Sequence, residues 1–277
     1  MTLTGARPTE VRSPLLPAAA AVLALVTLAA LVRLALHTGR GQRWDDVAMS
    51  TVAASRDARL HVLSVLGYIS IGAISGVVVV CLLLALVRGR LDLAIGAVVV
   101  VAGTNLTTQA LKLVVLERPD LGTGVHNSLP SGHTAVVASA TAALLLVSPT
   151  LLRPVFVAIG TFATMLAGAS TIIAGWHRPS DIVAALLVTL AWSSGVAAVL
   201  GGRRRHLATV APAALGACAS LAFLLMVGVR PVVGWDGAAQ AGLVLGVTAL
   251  ASAAFVIIVA RLAPADPPRD LASQPPA

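Results

Sequence analysis

The chain is short of most of what marks a soluble enzyme. Of its 277 residues 11% are charged and 3% aromatic, and it holds two cysteines and a single lysine. So few charges cannot cover the surface of a water-soluble domain of this length. Cys81 and Cys218 each fall inside an apolar run. They read as small buried hydrophobes, which argues against a disulfide framework or a thiolate metal site. Acidic residues are scarce too, 11 against 19 basic ones, for a formal net charge of +8. That balance would suit nucleic acid, but the arginines stand singly or in short groups between apolar runs. Loops that flank membrane spans look this way, and no nucleic-acid partner is expected.

What the chain does have is aliphatic sequence: hydrophobic residues make up 58% of it. A run from Leu15 to Leu36 is long enough to cross a hydrocarbon core about 30 Å thick at about 1.5 Å per residue. A cleaved signal peptide is the rival reading of that run, disfavoured by its length and by the spans that follow. Further apolar runs lie at about 61–87, 92–111, 133–149, 152–174, 181–200, 207–229 and 238–261. In lipid such runs must be helices, because backbone groups cannot stay unpaired. The expectation is an all-α polytopic membrane helical bundle: a six-span core over 14–200, then two additional spans over 201–261. Residues 1–13 form a polar tail, and the proline-rich end, 262–277, reads as disordered. Within 37–60, Trp44, Ala48 and Val52 recur at helical spacing, so the segment is either an interfacial helix or a solvated loop.

Eight spans put both termini on one side with the loops near Arg88, Arg153 and Arg203-Arg204-Arg205. That side carries ten basic residues and the other nine, of which Lys112, Arg118 and Arg178 belong to the candidate site described next. Setting those three aside, the positive-inside bias places the termini in the cytoplasm and the loops after the third and fifth spans outside. The chain is therefore expected in the inner (plasma) membrane as a multi-pass protein, in contact with the lipid bilayer.

Three stretches break the aliphatic pattern: LKLVVLERPD (111–120), NSLPSGHTA (127–135) and GWHRPSD (175–181). Charged groups beside spans are costly, and a functional site is the default explanation for them. Ser131 suits an N-cap, Gly132 allows close approach of a ligand, and the free amides of that helix start favour phosphate. His133, at the mouth of such a pocket, can donate a proton to a leaving oxygen. His177 and Asp181 are four apart and share a helical face, so the carboxylate can orient the imidazole and leave its other nitrogen free to attack. Lys112 and Arg118 can neutralise phosphate oxygens, the arginine at two points. Each group also has a plain reading: a capped helix start, an interfacial histidine, a cation anchoring a span end. His37, His61 and His206 lie at span edges, His126 reads as a loop residue, and Asn105 as interhelical glue.

Taken together, the three stretches resemble the type 2 phosphatidic acid phosphatase superfamily, which includes lipid phosphate phosphatases, prenyl diphosphate phosphatases and vanadium haloperoxidases. That family carries Lys, six residues, Arg-Pro; then Pro-Ser-Gly-His; then Ser-Arg, five residues, His, three residues, Asp. Pro130 to His133 match the second motif in full, and His177 and Asp181 the end of the third. The resemblance implies an integral membrane phosphatase acting on a lipid phosphate or prenyl diphosphate without a metal or other cofactor. It implies His177 as nucleophile, forming a phosphohistidine, Asp181 as its orienting carboxylate and His133 as proton donor. Lys112, Arg118, Ser131 and Gly132 would hold the phosphate. Two departures stand out. Only five residues separate Lys112 from Arg118, which turns the lysine by about 100° on a helix. The third motif's arginine is replaced by Thr171, which removes a contact worth about 2.7–4 kcal/mol where such donors have been deleted. Arg178, beside the nucleophile, is the candidate substitute. A protein that binds or transports a lipid phosphate without chemistry is the alternative reading.

Overall fold

A computed structural model describes residues 14–54, 60, 63, 64, 67, 71–122, 126–201 and 208–264. The chain folds as an all-α bundle. Its helices are α1 (Leu15–His37), α2 (Gly39–Ser50), α3 (Ile71–Val87), α4 (Leu91–Ala110), α5 (Gly132–Val147), α6 (Arg153–Ile173), α7 (Pro179–Leu200), α8 (Val210–Met226) and α9 (Ala238–Leu262). Five helical stretches are long and apolar enough to cross a membrane: Leu15–His37, Leu91–Val115, Arg153–Ile173, Pro179–Leu200 and Gly234–Leu262. The other three apolar helices are shorter, Ser75–Val87, Gly132–Val147 and Val210–Met226. Each apolar run of the sequence thus yields a helix, though not always one of full spanning length. α5 is short because the segment before it, Leu129 to Ser131, is itself buried in the bundle. Irregular backbone is tolerated at depth only where protein covers it.

α5 and α7 form the centre. α5 packs against α3, α4, α6, α7 and α9, while α7 also takes α1 on its outer side. The close approaches use small residues: a Cβ on Gly103 of α4 would meet the Trp192 ring of α7 at 2.6 Å. Where lipid competes for apolar surface, such backbone-level packing holds helices together. Asn105 of α4 donates to Ser139 Oγ of α5 at 3.1 Å, the interhelical contact expected of it. The last two helices are not a separate layer, since α9 packs on α5, α6, α7 and α8. Arg153, 2% exposed, closes that junction by donating to the carbonyls of Ala263 and Pro264 beyond the end of α9.

Three expectations are changed or sharpened. Cys81 is buried, but Cys218 is exposed on α8, because it faces outward from the bundle. The 37–60 segment is a helix as far as Ser50, yet its inward residues are Gln42 and Asp45 while Trp44 is exposed. After it, β1 (Val52–Ala54) pairs antiparallel with β2 (Val229–Pro231), a two-stranded ribbon that apolar patterning does not reveal. The polar tail 1–13, the arginines at 56, 59 and 203–205, His61, His206 and residues from 265 on lie outside the described residues.

Candidate functional site

The site begins with the end of α6. Ile172 accepts from the amide of Gly175 at 2.9 Å and Thr171 from the amide of Trp176 at 3.0 Å. This helix stop requires a left-handed residue, and Gly175 supplies it at φ 73°. His177 also donates its amide to the Thr171 carbonyl, at 3.2 Å, so the backbone at the position of the missing arginine sets where the histidine starts. α7 then begins at Pro179, whose absent N–H costs nothing in a first turn.

The turn brings His177 and Asp181 together. Nδ1 of His177 lies 3.0 Å from Oδ2 of Asp181, and the two residues are 5% and 0% exposed. The same oxygen accepts from the amide of Arg178 at 3.0 Å and from Ser128 Oγ at 2.6 Å. Three contacts on one carboxylate oxygen hold it in place. With Nδ1 engaged, Nε2 is the ring nitrogen left for chemistry.

The second motif is built onto this turn. Leu129–Pro130 is a cis peptide. Ser131 donates its amide to the backbone carbonyl of Asp181 at 2.9 Å, and its hydroxyl accepts from Thr134 Oγ1 at 3.0 Å and from the Thr134 amide at 3.4 Å. Ser131 is therefore the N-cap of α5 as well as a tie to the first turn of α7. Gly132 and His133 follow as the first residues of α5, where amides lack a carbonyl partner within the helix and a dipole favours anions. The His133 ring stacks at a tilt on Trp176, centroids 5.6 Å apart, and lies close enough to His177 and Lys112 for their charges to act on it.

The first motif arrives from α4. After Ala110 the helix widens into a π-turn, Leu111–Val115, then runs extended from Leu116. Lys112 lies in that turn, and Asn127 braces it by donating to the carbonyls of Lys112 at 3.4 Å and Leu116 at 3.0 Å. The Arg118 side chain is only 1% exposed, and its Nε and Nη2 make no hydrogen bond. Burial, with the charge of Arg178 nearby, holds the Arg118 guanidinium below its usual range, although Asp46, Asp45 and Asp181 oppose this. A buried cation with unused donors is suited to an anion.

Residues that the sequence did not single out hold these pieces in register. Asp46 of α2 bonds Arg178 Nε and lies 3.6 Å from Arg118 Nη2. Ser128 accepts from Arg178 Nη1 at 2.8 Å while donating to Asp181. Asp45 accepts from the Ser180 amide at 3.1 Å and from its hydroxyl. Burial pushes the Asp45 carboxyl up to about 6, against the Ser180 hydrogen bond, which lowers it. Arg178 is thus placed beside His177 with its guanidinium already tied to Asp46 and Ser128. Thr171 is buried and turns its hydroxyl back to the Gly168 carbonyl at 2.8 Å. Ser128 stands two residues before the Pro-Ser-Gly-His motif, the one positional signal that could have drawn attention to it. Asp45 and Asp46 gave no signal beyond a polar stretch.

Comparison with protein families points to a class of chemistry for this arrangement. Residues 93–205 match the PAP2 superfamily. The PAP2 match runs from the start of α4 through all three motif stretches and beyond α7, a shorter span than the 14–200 expected from sequence. No curated protein and no solved structure gave a match. PAP2 is a helical membrane fold, and the match points to a phosphatase-type, phosphoester-hydrolysing function on a multi-pass membrane protein.

Proposed function

We propose that the protein hydrolyses a lipid phosphate or prenyl diphosphate through a phosphohistidine on His177. The observation that carries this reading is the buried His177–Asp181 contact at 3.0 Å, facing a helix start and two motif cations. Lys112, Arg118, Ser131, the amides of Gly132 and His133, and Arg178 from its anchored position surround the phosphoryl group with donors and positive charge. Nε2 of His177 attacks phosphorus, a P–N bond forms and the bond to the leaving oxygen breaks. His133 gives that oxygen its proton. Water then attacks the phosphohistidine, His133 recovers a proton from it, and inorganic phosphate leaves with His177 restored. Positioning and charge stabilisation supply most of the acceleration in phosphoryl transfer, and these side chains provide both. Cationic side chains fill the role a metal plays elsewhere, so the reaction proceeds in chelator.

The substrate class follows from location. A site at span ends receives a headgroup while the hydrocarbon stays in the bilayer, and the arginine distribution supports an extracytoplasmic site. The six-span portion to residue 200 carries the chemistry, and α8 and α9 support it. Thr171 favours a second reading, binding or transport without hydrolysis, because no cation occupies that position. Phosphate release by the purified protein in detergent with chelator, from phosphatidic acid, phosphatidylglycerol phosphate and a long prenyl diphosphate, separates the two. Release that vanishes in His177→Ala supports the enzyme; no release from any lipid by a folded sample overturns it in favour of binding.

A further inference from the structure

α1 and α4 both pack on α7 rather than on one another. The gap between them is a groove open to the bilayer, in two sections that share Leu25, the inner one floored by α7. The outer section, about 400 Å³, is lined by Leu28, Val32, Arg33, His37, Leu111 and Leu116. The inner section, about 640 Å³, is lined by residues such as Ile95, Thr107, Trp192, Gly195 and Val199.

We propose that this groove holds the substrate's hydrocarbon as a single long chain, with Arg33 and His37 gripping the outer anionic part of its headgroup. The inference deepens the phosphatase reading and rests on it for the identity of the headgroup. Polarity is graded along the groove. The two basic side chains lie at the outer end, where Leu111 directly precedes Lys112 and Leu116 packs in one cluster with Leu129, next to the Pro130–His133 motif. An arginine within an otherwise apolar helix is costly in lipid unless it meets an anion. Among the described residues neither Arg33 nor His37 has an acidic partner, so a headgroup phosphate is the matching charge.

The sections lie end to end, which suits one chain running along the helices and not two side by side. From Asp92 to Thr107, both lining the inner section, α4 rises by about 22 Å at 1.5 Å per residue. A short chain ends within the outer section; only a long one reaches Gly195 and Val199. A long-chain prenyl diphosphate has this form, whereas a diacyl phospholipid leaves one tail outside.

Gly195 gives a clean probe, because a Cβ there would meet nothing within 4 Å. Gly195→Leu therefore extends a side chain into the inner section from a position where its Cβ is free of contacts. The purified full-length protein is assayed in detergent for phosphate release from farnesyl diphosphate and from a long polyprenyl diphosphate. The expected result is that Gly195→Leu lowers the ratio of kcat/KM for long over short chain about tenfold, the scale on which apolar pockets discriminate. Arg33→Gln is expected to raise KM for both. An unchanged ratio in Gly195→Leu overturns the groove. A long prenyl phosphate carrying a diazirine at its far end gives a readout independent of turnover. Crosslinks concentrated at Leu25, Ile95 and Val199 support the proposal, and labelling spread evenly over bilayer-facing helices overturns it. If the wild type releases no phosphate from either substrate, the phosphatase reading fails, and the crosslinks still decide where the chain lies.

Discussion

The carboxylate of Asp46 bonds the guanidinium of Arg178, 132 residues further along the chain. Its other oxygen lies 3.6 Å from Arg118, so one side chain on a short helix sets the positions of cations from two motifs. Asp46→Asn removes the charge between them. Breaking a buried pair from one side costs about 3–5 kcal/mol; with Asp46 at 24% side-chain exposure, a loss of about 3 kcal/mol or less is expected. Thermal unfolding in detergent checks this, and phosphate release should fall with it. An unchanged melting point and full activity would show that α2 does not position the cations.

In the proposed mechanism Asp181 orients His177 through the 3.0 Å contact and does not touch the reacting atoms. In a comparable histidine–aspartate pair, replacing the aspartate by asparagine costs roughly 10⁴ in turnover by favouring the wrong tautomer. Asp181→Asn should thus lower kcat by roughly 10³–10⁴, while KM moves little. His177→Ala should abolish turnover and the acid-labile phosphoprotein trapped by rapid quench. A trapped phosphoprotein that persists in His177→Ala would place the nucleophile elsewhere.

Arg118 has buried donors with no hydrogen-bond partner, which fits a site waiting for an oxyanion. Orthovanadate, as a phosphate mimic, should raise the melting temperature of the wild type, since a ligand at 100 times its Kd contributes about 2.7 kcal/mol. Arg118→Gln should lose most of that rise. An equal rise in the variant would move the anion away from Arg118.

Asp45 titrates near 3.8 when unfolded and at about 6 in the folded protein, because burial disfavours its charge. Between those values the folded state holds a proton that the unfolded state has released. Stability therefore falls as pH rises from about 4 to about 6, and this contribution is constant above that. Asp45→Asn cannot ionise and should not share the fall. Melting temperatures from pH 4 to 7 check it: the variant should gain on the wild type across that window, and parallel curves would contradict it.

Much of the candidate site was legible because its residues are chemically out of place. One lysine, a Pro-Ser-Gly-His and a His-x-x-x-Asp among aliphatic spans mark span ends, and four-residue spacing on a helix is enough to bring His177 to Asp181. Ser131 as a cap and Pro179 as a first-turn residue followed from local rules that hold in any fold. Asp45, Asp46 and the double role of Ser128 were not legible, because their partners lie 135, 132 and 53 residues away. No spacing rule connects such residues. The π-turn at Lys112 is likewise a local departure that apolar periodicity does not record.

The sequence by itself determined that this is an all-α bundle of apolar helices with its candidate site at their ends, because the bilayer leaves aliphatic runs no other backbone solution and makes charge costly within them. Tertiary structure alone decided how the cations are held and where the groove lies. Both depend on which helices meet: α2 folds back over the start of α7, and α1 and α4 share α7 without closing on each other. Helix-to-helix contact in lipid turns on small residues and single polar groups rather than on overall hydrophobicity, and such choices are made in three dimensions.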